Sequence, residues 1–102
     1  MGGHDFEQVI SGATLQEAFH DAVEQAQREY GHNPYSGTVG MKDEVVLIKE
    51  ESRTEDEAQT RAHELIEADD ERIRDKWGPA GALPLHPVDG QPAWLLFGWV
   101  AS

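Results

Sequence analysis

Ala93-Trp94-Leu95-Leu96-Phe97-Gly98-Trp99-Val100-Ala101 is the only long unbroken apolar run in the chain, and its reading decides the fold. At roughly 3.3 Å per residue it makes a strand of ordinary length. It falls well short of the ~20 apolar residues that a membrane-crossing helix needs. Side chains alternate along a strand, so Trp94, Leu96, Gly98 and Val100 share one face and Leu95, Phe97, Trp99 and Ala101 the other. A strand with one wet face alternates apolar and polar residues. This one is apolar on both, which predicts burial on both sides. Helices can cover one face. The other is expected to be sealed by a loop, a second copy of the chain or a partner.

Upstream of this strand, Val88-Asp89-Gly90-Gln91 reads as a turn and Ala82 to Leu85 as a short strand, which together close a hairpin. Gly78-Pro79 ends helix formation. Before it, Thr54 or Ser52 caps a second helix whose inner stripe is Ala58, Ala62, Leu65, Ile66 and Ile73. Asp69 falls on the same stripe. A break near Ala68 is expected there, because an unpaired buried carboxylate is costly. Ser36 to Met41 and Glu44 to Ile48 read as two strands of a hairpin joined through Lys42-Asp43.

Thr14-Leu15-Gln16-Glu17 has the spacing of a capping box, and it opens a helix running to about Tyr30. Gly31 supplies the stop. Phe6 to Ile10 is the candidate first strand. The element order is therefore (β)αββαββ. It predicts an α+β single domain over residues 1–102: a two-layer sandwich with a mostly antiparallel sheet and both helices on one face.

Composition narrows the function classes. The chain has 102 residues, enough for one core. Cysteine is absent, which removes thiolate nucleophiles, disulfides and zinc–thiolate clusters. Met1-Gly2-Gly3-His4-Asp5 lacks the basic and apolar regions of a signal peptide, so a soluble, cytoplasmic protein is the expectation. Twenty acidic against eight basic side chains give a net charge of -12. That argues against direct contact with nucleic acid or an anionic membrane, both of which need a basic face. It favours solubility and attraction to basic partners.

From Glu50 to Asp75 there are eleven acidic and four basic residues. A carboxylate row along the second helix, including Glu64, Glu67, Asp70 and Glu71, can occupy a basic groove on a partner. The competing reading is a solvated helix laced with i,i+4 pairs such as Glu57–Arg61. Trp77 is either a core anchor, the commoner fate, or an interface anchor of the kind enriched in hot spots. Trp94 and Trp99 are the corresponding candidates on the terminal strand. Tyr30, His32 and Tyr35 put two phenols and an imidazole around one loop, a possible small-ligand site.

Glu17-Ala18-Phe19-His20 and His63 with Glu67 have helical metal-ligand spacings. Both histidines lie off the apolar stripes, so solvated faces are expected instead of metal sites. No phosphate loop, nucleophile elbow or cofactor motif is present, and no cofactor is expected.

Tyr35-Ser36-Gly37-Thr38, Asp75-Lys76-Trp77-Gly78-Pro79-Ala80-Gly81 and Leu96-Phe97-Gly98-Trp99 together resemble a pattern in small acidic proteins of actinobacteria and their phages. The resemblance touches about a sixth of the chain. It implies a small accessory protein, phage-borne in one setting, and carries no activity. The leading expectation is a non-enzymatic binding or inhibitor module that meets a basic protein surface. The alternatives are a homodimer sealed through the sheet, with Trp94 and Trp99 as anchors, and a small-ligand binder or enzyme using the Tyr30–Tyr35 loop.

Overall fold

The computed structural model describes residues 3–31 and 39–101, except for the Tyr30 side chain. Along the chain run β1 (Gly3–Ser11), α1 (Leu15–Tyr30), a 3-10 turn (Val39–Met41), β2 (Val45–Leu47), α2 (Glu55–Glu67), β3 (Ala80–Val88) and β4 (Gln91–Ala101). The class is α+β and the element order is the expected one. The 3-10 turn stands in the described part of the segment read as the first strand of a hairpin.

Local chemistry sets the element ends. The Thr14 hydroxyl accepts the Glu17 N–H at 3.2 Å and starts α1. The Gly31 N–H closes the helix on the Gln27 carbonyl at 2.8 Å. At α2 the capping box is reciprocal: Glu57 donates its N–H to the Thr54 hydroxyl, and Thr54 donates its own N–H to the Glu57 carboxylate. The break near Ala68 is real. Asp69 donates to Ile66 and Asp70 to Leu65, each at 3.1 Å, with Asp69 at φ 54°. These two bonds form a Schellman motif, and aspartate is among the few non-glycine residues that enter the left-handed region readily. Asp69 thereby leaves the buried stripe and is exposed. Between β3 and β4, Asp89 and Gly90 both have positive φ, 51° and 79°. This is the two-residue Asp-Gly turn whose twist matches a hairpin.

The four strands lie in the order β1-β4-β3-β2. β4 is flanked by antiparallel neighbours, with Gly3 opposite Ala101 through Ser11 opposite Ala93 on one side. On its other side Gly81 faces Phe97, and the ladder runs on to Leu85 opposite Ala93. β2 pairs in parallel with β3, Val45 opposite Ala80. The sheet is therefore mixed but mostly antiparallel.

The helices do not share a face. Alternate residues of β4 belong to separate clusters. Trp94 and Leu96 pack with Ala18, Phe19, Ala22 and Ala26 of α1, together with Ile10 and Val39. Ala93, Leu95, Phe97 and Trp99 pack with Ala58, Ala62 and Leu65 of α2, together with Ile48, Ile73, Leu83 and Leu85. Since adjacent strand residues point to opposite faces, α1 covers one side of the sheet and α2 the other. The two-layer expectation is corrected to three layers, helix, sheet and helix.

The reason lies in β2. Read as half of a hairpin, it would send the chain back along one face. Paired in parallel with β3, it makes β1, β2 and β3 a parallel set. The connection through α1 then crosses the sheet from β1 to β2, and that through α2 returns from β2 toward β3. Crossovers between parallel strands keep one hand, so opposite directions of travel place the two helices on opposite faces. The second apolar face of Trp94–Ala101 is thus sealed by the chain's own helix, and the sheet face needs no second copy to cover it.

Gly81 marks the tightest point of the α2 side. A Cβ there would lie 2.7 Å from two Phe97 ring carbons and 2.9 Å from Ile73 Cγ2. Phe97 and Ile73 are themselves fully buried and have no room to yield. Gly81→Ala should destabilise the fold by about 1–3 kcal/mol through overpacking. Thermal unfolding of the variant against the parent protein checks this, and an unchanged melting temperature would contradict the packing described.

Candidate protein-interaction surface

Between α2 and β3 the chain forms a turn that presents Trp77. Asp75 opens it: one carboxylate oxygen accepts the Trp77 N–H at 2.8 Å, and its carbonyl accepts the Gly78 N–H at 2.9 Å. Asp at the first and Gly at the fourth position suit this turn. Lys42 holds the turn from below. Its ammonium donates to the carbonyls of Lys76, at 3.1 Å, and Gly78, at 2.9 Å, and only 2 % of the residue is exposed. Burial lowers the Lys42 pKa to about 8, with Asp75 acting in the opposite direction. Alongside, Ala80 donates its N–H to the Glu44 carbonyl at 3.0 Å. The backbone around Trp77 is therefore fixed from both sides, while the side chain stays 53 % exposed. Trp77 is not a core anchor.

Two grooves flank the indole. One, of about 440 Å³, is lined by Asp69, Arg74, Asp75, Lys76, Trp77 and Trp99. The other, about 200 Å³, is lined by Asp43, Glu44, Trp77, Gly78 and Pro79. Around them stand four carboxylates and two exposed or half-buried cations. Arg74 lies 3.8 Å from Asp69.

The expected contact residues separate on the structure. Trp77 and Trp99 share a groove, whereas Trp94 lies on the opposite face, half-buried against the α1 cluster. Glu67 and Glu71 are exposed. Glu64 is exposed but bound to Arg61 at 3.1 Å. Asp70 is held by Arg72 through two side-chain bonds of 2.9 Å and one from the Arg72 N–H. This guanidinium is the first cause that brings Asp70 to a pKa of about 2. The Tyr30 side chain, His32 and Tyr35 lie outside the described residues. Sequence spacing makes Lys42-Asp43 a hairpin connection and Glu44 the start of a strand, with no part in a site. Asp75 three residues before Gly78 was the available signal for the turn.

Earlier in the acidic segment, Glu50 is structural. Arg61 does not reach Glu57. It clamps Glu50 with bonds of 2.9, 3.0 and 3.3 Å, and Arg53 adds a fourth at 2.8 Å. Glu50, half-buried, is driven down to a pKa of about 2, first by Arg61. This hub ties the segment after β2 to α2. His63 and His20 pair with carboxylates other than those at the expected metal-ligand spacings. His63 Nε2 is 3.2 Å from Glu7 of β1, and His20 is 3.0 Å from Glu24.

No family model, curated protein or solved structure matches the chain.

Two pH responses follow from these groups. The unfolded chain protonates Glu50 near its ordinary value of about 4.3, whereas the fold resists until about 2. Stability should therefore be complete above the upper value and fall as pH drops toward the lower one. A Glu50→Gln variant, less stable at neutral pH, should lose less over that window in denaturant titrations. Lys42 acts at the other end. Folded, it gives up its proton near 8; unfolded, it keeps it to about 10.4. Across that interval the unfolded state binds more protons, so the stability difference between parent and Lys42→Met should grow in the parent's favour as pH rises. A pH-independent difference would contradict the burial of this ammonium.

Proposed function

We propose that this chain is a non-enzymatic protein-binding or inhibitor module that engages a basic surface on its partner through the Trp77 turn. The observation that carries the reading is an exposed tryptophan on a backbone already fixed by Asp75, Lys42 and Glu44. Exposing a large aromatic ring is ordinarily unfavourable. Fixing its backbone beforehand reduces the ordering cost of binding. Tryptophan is also the residue most often found as an interface anchor.

The net charge of -12 supplies the long-range attraction toward a basic partner. Glu67 and Glu71, exposed near the end of α2, belong to this field. Glu64 and Asp70 contribute less to it, because each is partly neutralised by its own arginine. The groove shared by Trp77 and Trp99 begins where α2 ends, at Asp69. Anchor and acidic helix are therefore neighbouring parts of one surface.

An array of basic, neutral and acidic peptides probed with the purified chain tests the reading. Basic peptides should be retained, and retention should fall as salt rises. Trp77→Ala should weaken binding about thirtyfold, the ~2 kcal/mol of a hot spot, while leaving the melting temperature nearly unchanged. Glu67→Gln with Glu71→Gln should slow association more than it speeds dissociation. Salt-independent binding, or binding indifferent to Trp77, would overturn the proposal.

A further inference from the structure

The smaller groove beside Trp77 has a chemistry of its own. Asp43 and Glu44 immediately precede β2, and Gly78 and Pro79 immediately precede β3. The groove thus lies at the shared starting end of two parallel strands. Its walls are fastened by the Lys42 bonds and by the Ala80–Glu44 bond, so their spacing is set before any ligand arrives. Trp77 and Pro79 are among its lining residues. Asp43 and Glu44, both exposed, line it too and make no ion pair among the described residues. Lys42, the adjacent cation, is turned inward onto backbone carbonyls.

We propose that this notch, formed by Trp77, Pro79, Asp43 and Glu44, takes an arginine side chain of the basic partner. The inference rests on the preceding reading of the Trp77 turn and names the group that this surface selects. A guanidinium is flat and weakly hydrated, stacks on an indole, and offers a fork of N–H donors to carboxylates. A lysine ammonium is a compact, strongly hydrated point charge that uses neither the ring face nor two acceptors equally well. The groove, about 200 Å³, is lined by one aromatic residue and two acids, without further aromatic residues to enclose an ammonium.

The test uses three pentapeptides that differ only at the centre: arginine, lysine or citrulline, each flanked by glycines and blocked at both ends. Binding to the full chain is followed by nuclear magnetic resonance, through the Trp77 indole N–H and the amides of Asp43, Glu44 and Gly78. The arginine peptide should shift these signals and bind about tenfold more tightly than the citrulline peptide, the loss expected when a charge-assisted hydrogen bond is removed. The lysine peptide should fall between them. Asp43→Asn with Glu44→Gln replaces exposed side chains and should keep the fold while abolishing the arginine preference. Trp77→Phe should keep a weakened preference.

Equal binding of the arginine and lysine peptides, or a preference that survives the double substitution, would overturn the arginine notch and leave the basic-surface reading standing. If none of the peptides shifts these signals and no basic peptide on the array is retained, both readings fall.

Discussion

A strand that is apolar on both faces must be covered on both faces, and the architecture follows from that constraint. β4 occupies the position where this is possible, between β1 and β3, with a helix above and another below. Each helix supplies a stripe dominated by alanine: Ala18, Ala22 and Ala26 on α1, and Ala58 and Ala62 on α2. Small residues let each helix lie close to the sheet. The larger side chains of β4 and its neighbours fill the space between. Gly81 belongs to the same packing solution. It leaves room for the Phe97 ring directly across the ladder, with Ile73 from the α2–β3 connection closing over it.

Much of this was legible in the residues. Both helices, the double-sided burial of Trp94–Ala101, the break after α2 and the Asp89-Gly90 turn follow from spacing and from residues with narrow conformational preferences. The placement of the second helix did not follow, because it depends on whether β2 pairs with the segment before it or with β3. A three-residue apolar strand carries no local mark of its partner. Strand direction is a property of the assembled sheet, and one parallel pairing was enough to move a helix across it.

The candidate site was less legible for a related reason. Trp77 and Trp99 stand out by residue type, but the turn that presents Trp77 is organised by Lys42, 34 and 36 positions from the carbonyls it holds. Nothing near Lys42 in the sequence announces that contact. The acidic segment was conspicuous for its charge, yet Glu50 braces the segment after β2 against α2 through Arg61, and Asp70 is occupied locally by Arg72. Abundance of one charge did not distinguish carboxylates that brace the fold from those left to meet something else.

The pairing of β1 with β4 has a consequence for how the chain acquires its structure. Gly3–Ser11 finds its ladder partner in Gln91–Ala101, so nearly the whole intervening chain is made before the first strand can dock. Bringing together segments so far apart carries a loop-closure entropy cost, and sheets built on distant pairings fold slowly. The stripe of α1 likewise meets much of its surface only when β3 and β4 arrive. On a ribosome, the early elements must wait with their apolar sides uncovered until the central strand emerges. Both halves of the core form around that strand.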